Sequence, residues 1–399
     1  MLKNRVISIL IMCTCGTQVL MADSFNKFLN TALKESPYLK STYLGKEQLR
    51  YEAFIATRYE NPDLDISYAE FNPKNEVSDT GYGVSISQPI RFWSISKDKE
   101  KLSQKILHGA KNFYQLDKAN FIKELSLLYT NYEFSENLKE LTQESFKIAK
   151  DIYDISKERY ALGAISQADL LQTEVALMEL QVQNENTKTE SLNRYYDLLK
   201  FAGVTEEINL ETNYTFEVSK KQEILKNPEL LAFKSEQEIK MAKLNVQSNT
   251  FDSFNLVASY DDEPDQTVNR LGISIPFPIF NTRSEETKIA LLESKKNTLL
   301  IENRTRQLNQ ELIQLYKQRD SFEKQLNDYQ KVLKIKMQLL EMFIEKYKIS
   351  QASILELQII KDSVTQTKKE LLRTKLALNQ NAIFLNYIQG DLNEETIID

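Results

Sequence analysis

The sequence is poor in cysteine, histidine and tryptophan, and the first of these shortages already excludes several kinds of site. Its 399 residues contain two cysteines, one histidine and one tryptophan. Cys13 and Cys15 lie within an N-terminal segment typical of a signal peptide, with basic residues, a short apolar run and Ala22 at the expected cleavage site. Neither follows the small residues that a lipoprotein signal requires. We therefore expect an unlipidated mature chain that begins at Asp23 and has no cysteine for a disulfide, a nucleophile or a metal site.

The remaining polar residues form no recognisable catalytic or ligand-binding pattern. His108 stands alone, whereas a metal site needs several convergent ligands. The acidic stretch Asp261–Asp265 lacks the glycine and ligand spacing of a calcium-binding loop, and no nucleophile has a base beside it. Without residues 1–22 the formal net charge changes from −6 to −8, with both signs interspersed. These features predict no enzymatic activity, no metal, no cofactor and no nucleic-acid partner.

Long apolar runs are also missing. No stretch of eighteen consecutive apolar residues occurs, so the sequence predicts no transmembrane helix. If the chain spans a membrane, it must therefore do so with strands, which satisfy their backbone groups by pairing.

Proline is absent from residues 90–227 and 279–399, and both stretches show heptad spacing of apolar residues. Such lengths are far above the mean of about 11–12 residues for a globular helix. Sustained spacing of this kind indicates left-handed coiled coils or a helical barrel. Two sets of positions show the pattern: Leu171, Val175, Met178, Val182, Leu192, Tyr196 and Leu199 in the first stretch, and Leu357, Val364, Leu371, Leu378 and Leu385 in the second.

Each proline-free stretch is interrupted by a short tip that predicts a helical hairpin. In the first tip, residues 159–169, Gly163 precedes Ser166, and Asp169 follows three residues later in the spacing of a capping box. A weaker copy, residues 346–356, places Tyr347 and Ser353 in the positions of Tyr160 and Ser166. The chain therefore contains two pairs of long antiparallel helices.

The proline-bearing regions instead alternate apolar and polar residues, which predicts four strands in two hairpins. The strands have about the length that spans a bilayer, and the stretches NPKNEVSDTG and DDEPDQTVN are expected to join them as polar loops. For Phe92 and Trp93 two interpretations stand side by side, an aromatic girdle at the membrane interface or packing under the next helix. The alternation predicts these lipid-facing residues: Tyr82, Val84 and Ile86 in the second strand, and Leu271, Ile273 and Ile275 in the fourth.

Corresponding residues recur at a nearly constant separation, so the chain reads as two copies of one unit. Each unit would contain an N-terminal helix, a strand hairpin, a very long helix, a tip and a return helix. Pro37 and Pro228 mark the start of the two units. The predicted segments are a signal peptide 1–22, N-terminal helices 23–61, a first hairpin 62–93, a first helical hairpin 94–200, a linker with the next helix 201–252, a second hairpin 253–280, a second helical hairpin 281–389 and a tail 390–399.

In this order of elements the sequence resembles the TolC-like outer membrane efflux protein family. The pattern S-I-x-x-P-I ends both strand hairpins, at 85–90 and 274–279, and the first tip reads R-Y-x-x-G-x-x-S-x-x-D-L-L from Arg159. The resemblance implies a mostly α fold with a β-barrel part. Each copy of a homotrimer would give four strands to a twelve-stranded barrel in the cell outer membrane, and its helices to an α-helical barrel in the periplasm.

The resemblance also implies a function and its partners. The protein would be the passive exit duct of a tripartite efflux system, receiving small molecules or metal ions from an inner membrane pump through a periplasmic adaptor protein. Two alternatives stay open: the outlet of a type I protein secretion system, and a structural periplasmic coiled coil with no strands in the bilayer. The tip residues expected to contact the adaptor are Arg159, Tyr160, Gly163, Ser166, Asp169, Lys346, Tyr347 and Ser353.

Overall fold

The computed structural model describes residues 24–72, 78–218, 224–280, 282–349 and 351–392. The predicted signal peptide, with both cysteines, and most of the predicted tail lie outside these residues. Seven helices and four strands occur in the described ranges, in this order: α1 Phe25–Glu35, α2 Pro37–Thr57, β1 Asp63–Phe71, β2 Asp79–Arg91, α3 Trp93–Ala161, α4 Gln167–Ala202, α5 Pro228–Gln247, β3 Ser253–Glu263, β4 Gln266–Ser274, α6 Ser284–Lys348 and α7 Ile354–Gln389.

Two helices dominate the molecule. α3 has 69 residues and α6 has 65, so each is on the order of 100 Å long at ~1.5 Å per residue. The return helices α4 and α7 have 36 residues each and pack antiparallel along α3 and α6. Within the described ranges, none of the helices has the combination of length and apolarity that would let it cross a membrane.

The main hydrophobic core lies where both return helices end and the chain crosses between the two halves. α1 inserts Phe25 and Phe28 here against Tyr129 in the middle of α3. The ring centroids of Phe25 and Tyr129 are 4.9 Å apart, and the Tyr129 hydroxyl donates a 2.6 Å hydrogen bond to the backbone oxygen of Glu211. Helix ends and linker therefore pack as one unit, from which the helical hairpins extend.

The four strands form one antiparallel sheet in the order β1-β2-β3-β4, so β2 pairs with β3 across the two halves of the chain. Glu263 pairs directly with Gln266, leaving Pro264 and Asp265 as a two-residue turn. The predicted loop DDEPDQTVN is therefore wrong in extent, because most of it is strand. Its polar residues are exposed or partly exposed at the end of the sheet, where strand pairing does not bury them fully.

The fourth strand ends earlier than expected. β4 stops at Ser274, so the prediction that Ile275 belongs to a lipid-facing strand is wrong. Pro276 and Pro278 follow at once, and neither has an N–H group to donate to a neighbouring strand. Pro89 is tolerated within β2, which continues to Arg91.

Candidate functional site

The first tip is a tight turn that depends on Gly163. α3 ends at Ala161, and Gly163 adopts φ +69°, a left-handed conformation that residues with a Cβ resist. Its N–H donates to the Tyr160 oxygen at 2.9 Å, and the Ala164 N–H donates to the Arg159 oxygen at 2.8 Å. These bonds satisfy carbonyls that the helix leaves unpaired at its end.

Capping boxes begin both return helices. The Asp169 N–H donates to Ser166 Oγ at 3.2 Å, and the Ser166 N–H donates to Asp169 Oδ2 at 3.1 Å. Ser353 and Glu356 make the same pair of bonds at 3.2 Å and 2.8 Å, so the two return helices share this cap. The hydrogen bond from the Ser353 backbone holds the pKa of Glu356 below its usual value.

Arg159 and Tyr347 join the two tips to each other. Arg159 Nη1 donates to the Tyr347 oxygen at 2.8 Å, and its guanidinium lies 4.3 Å from the centroid of the Tyr347 ring. The Tyr347 hydroxyl and Ser156 Oγ are 2.7 Å apart. Tyr347 is 1% exposed and Arg159 is 9% exposed, so both side chains lie inside the tip region.

This geometry corrects the expected role of two residues. Arg159 was predicted to offer its hydrogen-bond donors to an adaptor, but the guanidinium is directed at the end of α6. Tyr347 is the second-to-last residue of α6, where carbonyls lack helical partners and the helix dipole is negative. The Arg159 guanidinium is therefore stabilised by the C-terminal end of α6 in the same chain, and it covers the ring of Tyr347.

The other predicted tip residues remain at the surface. Tyr160, Gly163, Ser166, Lys346 and Ser353 are exposed, and Asp169 is partly exposed, so their contact with an adaptor stays a prediction.

Two exposed apolar residues of the tips were missed. Leu162 is 84% exposed and Ile349 is 63% exposed, and each is the C-cap residue that ends a long helix. The signal was available in the sequence, since each stands two residues after the matched tyrosines, Tyr160 and Tyr347. An apolar side chain presented at the end of a helical hairpin fits contact with a partner.

The sheet has one apolar face. Cross-strand register places Ile66 beside Val84, Val84 beside Tyr260, and Leu256 beside Ile273. Most of these side chains are more than two fifths exposed, and Leu271 on the same face is 89% exposed. Within one copy this face therefore lacks cover. The residues that share it are Leu64, Ile66, Tyr68, Tyr82, Val84, Ile86, Leu256, Tyr260, Leu271 and Ile273.

The opposite face is mostly polar. Gly83 lies there between Ser67 and Asp261, and a Cβ on Gly83 would come within 2.6 Å of Asp261 Oδ1 and closer still to Ser67 Oγ. Side chains of both neighbouring strands thus occupy the room that the missing Cβ of Gly83 leaves. Gly272 in the outer strand β4 has no atom within 4 Å of the equivalent position.

The structure decides between the two interpretations of the aromatic pair at the start of α3. The Phe92 ring packs at 5.5 Å from the Phe254 ring and 6.4 Å from the Phe251 ring. Trp93 is 86% exposed at the helical end of the sheet. Phe92 therefore packs beneath the helix start, and Trp93 is available for an interface.

The predicted heptad seam of α4 points away from α3. Leu171, Val175, Met178 and Val182 are 51–61% exposed in the single chain. α4 instead buries small polar residues, Thr173, Asn184, Thr187 and Ser191, and reaches the hydrophobic core only near its end. The heptad spacing correctly marks a face suited to burial, but that face is not covered by a helix of the same copy.

Comparisons with known proteins agree with the fold. The model of the family described as outer membrane efflux protein matches residues 28–204. The CusC channel structure superposes with a TM-score of 0.78, is 14% identical and is covered over 91% of each chain. A comparison with curated protein sequences gave no match.

Two further solved channels are similar throughout. The CmeC outer membrane channel of Campylobacter jejuni is 16% identical, with a TM-score of 0.74 and coverage of 92% of this chain and 85% of that one. The MtrE outer membrane channel of Neisseria gonorrhoeae is 14% identical, with a TM-score of 0.76 and coverage of 92% and 88%. The predicted resemblance is confirmed by the family match over residues 28–204 and by the fold that the chain shares with these channels.

Proposed function

We propose that this chain, which matches the outer membrane efflux protein family, assembles as a homotrimer into a passive exit duct across the outer membrane and the periplasm. The observation that carries the proposal is the sheet, which has one exposed apolar face, one polar face and two outer strands, β1 and β4, with free edges in the described chain. No channel can be built from one such sheet alone.

The free edges make self-association necessary in a bilayer. Lipid offers no hydrogen bonds to unpaired backbone groups, so a sheet must close on itself. The smallest membrane barrels have about eight strands, and four cannot close. Three copies, each pairing β4 with β1 of the next, would give a barrel with the apolar face towards lipid and the polar face towards the lumen.

The helices support the same assembly. The exposed seam of α4 and the exposed apolar residues of α6, such as Ile335 and Met342, would be covered by helices of adjacent copies. Heptad packing then continues around a closed ring rather than within one chain. The result would be a helical barrel that continues the lumen into the periplasm.

The tips would provide the docking end for a periplasmic adaptor and, through it, an inner membrane pump. The exposed residues there are Tyr160, Leu162, Gly163, Lys346 and Ile349, whereas Arg159 and Tyr347 would shape the tip from within. Transport energy would come from the pump, and the duct would carry small molecules or metal ions passively.

Membrane fractionation and planar-bilayer recordings test this function. The protein should copurify with outer membranes, run as a trimer after mild detergent extraction and form long-lived conducting pores. A monomer recovered from the soluble periplasm, with no conductance, would instead support the structural coiled-coil alternative.

A further inference from the structure

Charged side chains of three strands share the polar face of the sheet. Register aligns Asp65, Ser85, Ser259 and Arg270 in one row across all four strands. The neighbouring row contains Ser67, Gly83, Asp261 and Val268. These rows lie between the β3–β4 turn and the opposite end of the sheet.

Asp261 and Arg270 form an ion pair on this face. Arg270 Nη1 donates to Asp261 Oδ2, and Ser259 Oγ donates to the same oxygen at 3.3 Å. The Asp261 side chain lies over the backbone of Gly83, whose missing Cβ leaves it room. The pair is thereby held against the inner wall of the sheet instead of extending freely.

The balance of charge on this face is negative. The two rows contain two acidic residues, Asp65 and Asp261, and one basic residue, Arg270. Asp79 and Glu263 add negative charge towards the turns. A trimer repeats each of these charges three times around one lumen. Rings of charged side chains set the ion preference of membrane pores, and low-dielectric walls strengthen their field.

We propose that Asp65, Asp261 and Arg270 form a selectivity zone inside the barrel, which makes the pore prefer cations and which Arg270 moderates. This inference rests on the proposed trimeric duct. It assigns opposite effects to the two members of one ion pair, because removing Arg270 leaves an unbalanced acid and removing Asp261 leaves an unbalanced base.

Reversal potentials in a potassium chloride gradient provide the test. The reversal potential of the wild-type pore should lie between zero voltage and the potassium equilibrium potential. Arg270→Gln should move the reversal potential further towards the potassium equilibrium potential, and Asp261→Asn should move it towards the chloride equilibrium potential. The double variant should return close to wild type, because the two changes then cancel.

Asp262 is the matched control. It is the next residue in β3, has the same charge and points to the opposite, apolar face, where it lies beside Tyr82. Asp262→Asn should leave the reversal potential unchanged. Equal shifts for Asp261→Asn and Asp262→Asn, or no shift for Arg270→Gln, would overturn the selectivity zone.

The test separates this inference from the proposed function. If none of the proteins forms a conducting trimer, the duct itself is wrong. If all form pores of similar conductance but the ion preference does not follow Asp261 and Arg270, only the selectivity zone is wrong.

Discussion

Arg159 shows how one residue can join segments that are far apart in the sequence. It stands in the last turn of α3, yet its hydrogen bond goes to the last turn of α6, 188 residues away. A guanidinium is suited to this position because it donates in a fixed plane and can lie against an aromatic ring at the same time. The tips of the two helical hairpins are therefore held at a defined distance.

The tip contact predicts unequal effects of two identical charge reversals. Arg159→Glu should lose a charged hydrogen bond worth about 1.5–3 kcal/mol and place an anion at a helix C-terminus. Lys346→Glu also places an anion in the last turn of α6, but it leaves the contact between Arg159 and Tyr347 in place, so its effect should be smaller. Hydrogen exchange of the Gln351 amide, which bonds to the Lys346 oxygen at 2.8 Å, reports the difference. Equal protection in both variants would contradict the proposed tip contact.

Glu133 is a second residue with an unusual environment. It is 8% exposed in α3, and its carboxylate receives hydrogen bonds from the backbone N–H of Tyr214 and from Asn379 Nδ2 at 3.5 Å. Burial raises the pKa of Glu133 from 4.5 to about 7, because the charged form loses solvation. The folded state therefore holds a proton on Glu133 that the unfolded state releases at lower pH.

The raised pKa predicts a pH-dependent stability. Between pH 4.5 and 7 the folded state binds more protons at Glu133, so the stability that this proton supports is lost as the pH rises through about 7. Glu133→Gln keeps a neutral side chain and should be more stable than wild type at pH 8, by roughly 1–3 kcal/mol per copy. Denaturant unfolding at pH 5 and pH 8 measures the difference in unfolding free energy between Glu133→Gln and wild type. This difference should be smaller at pH 5 than at pH 8. A gap independent of pH would exclude titration of Glu133 as its cause.

At the scale of elements, α4 has two faces with different partners. The face towards α3 uses small polar side chains, which allow close approach of the helices, and the opposite face keeps its apolar seam exposed. An exposed apolar stripe along a long helix is costly in a lone chain and is typical of an interface. The pattern thus assigns α4 to contacts within and between copies.

A charge placed in this seam should interfere with assembly but not with folding of the single copy. Val182→Lys should reduce the trimer fraction strongly, because the ammonium would have to be desolvated between helices. Gln183→Lys introduces the same charge at the adjacent exposed position, outside the seam, and should be tolerated. Chemical cross-linking and circular dichroism of both variants measure assembly and helix content separately. Normal trimers of Val182→Lys would show that the seam is not an interface.

For the whole molecule, the decisive feature is the division of the sheet into an apolar and a polar face. Every described strand contributes to both faces in register, so the division belongs to the sheet and not to single strands. A soluble sheet would cover its apolar face with its own helices, but in the described residues this face stays exposed. The bilayer is the cover that we propose.

The bilayer position predicts opposite tolerance of the two faces. Ile86→Arg on the apolar face should cost about 2–4 kcal/mol per copy, hence roughly 6–12 kcal/mol for a trimer if the effects add. Ser87→Arg, the next residue, faces the lumen side and should assemble with altered conductance. Ile273→Arg and Gly272→Arg repeat the contrast in β4. The amount of assembled trimer in outer membranes is the measurement, and similar amounts for both faces would place these strands outside a bilayer.

Local information in the sequence was sufficient for the secondary structure. Long helices follow from the absence of proline together with heptad spacing, strands follow from alternation, and both capping boxes follow from residues three positions apart. Pro276 and Pro278 indicated the early end of β4. The prediction followed the apolar alternation through Ile275 instead and therefore extended the strand too far. The polar loop of the second hairpin was overestimated because charged residues can also occupy exposed strand ends.

Tertiary structure decided which of these elements meet. Three observations could not be read from the periodicity of the sequence. They are the pairing of β2 with β3, the contact of Arg159 with Tyr347, and the outward orientation of the α4 seam. Heptad spacing predicts that a face of a helix will be buried, but it does not predict which helix covers that face. Likewise, alternation separates Asp261 from Asp262 by face, but only the strand register places Asp261 beside Gly83, where the missing Cβ leaves room for its side chain. Local propensities depend on neighbours in sequence, whereas closure, curvature and burial depend on neighbours in space.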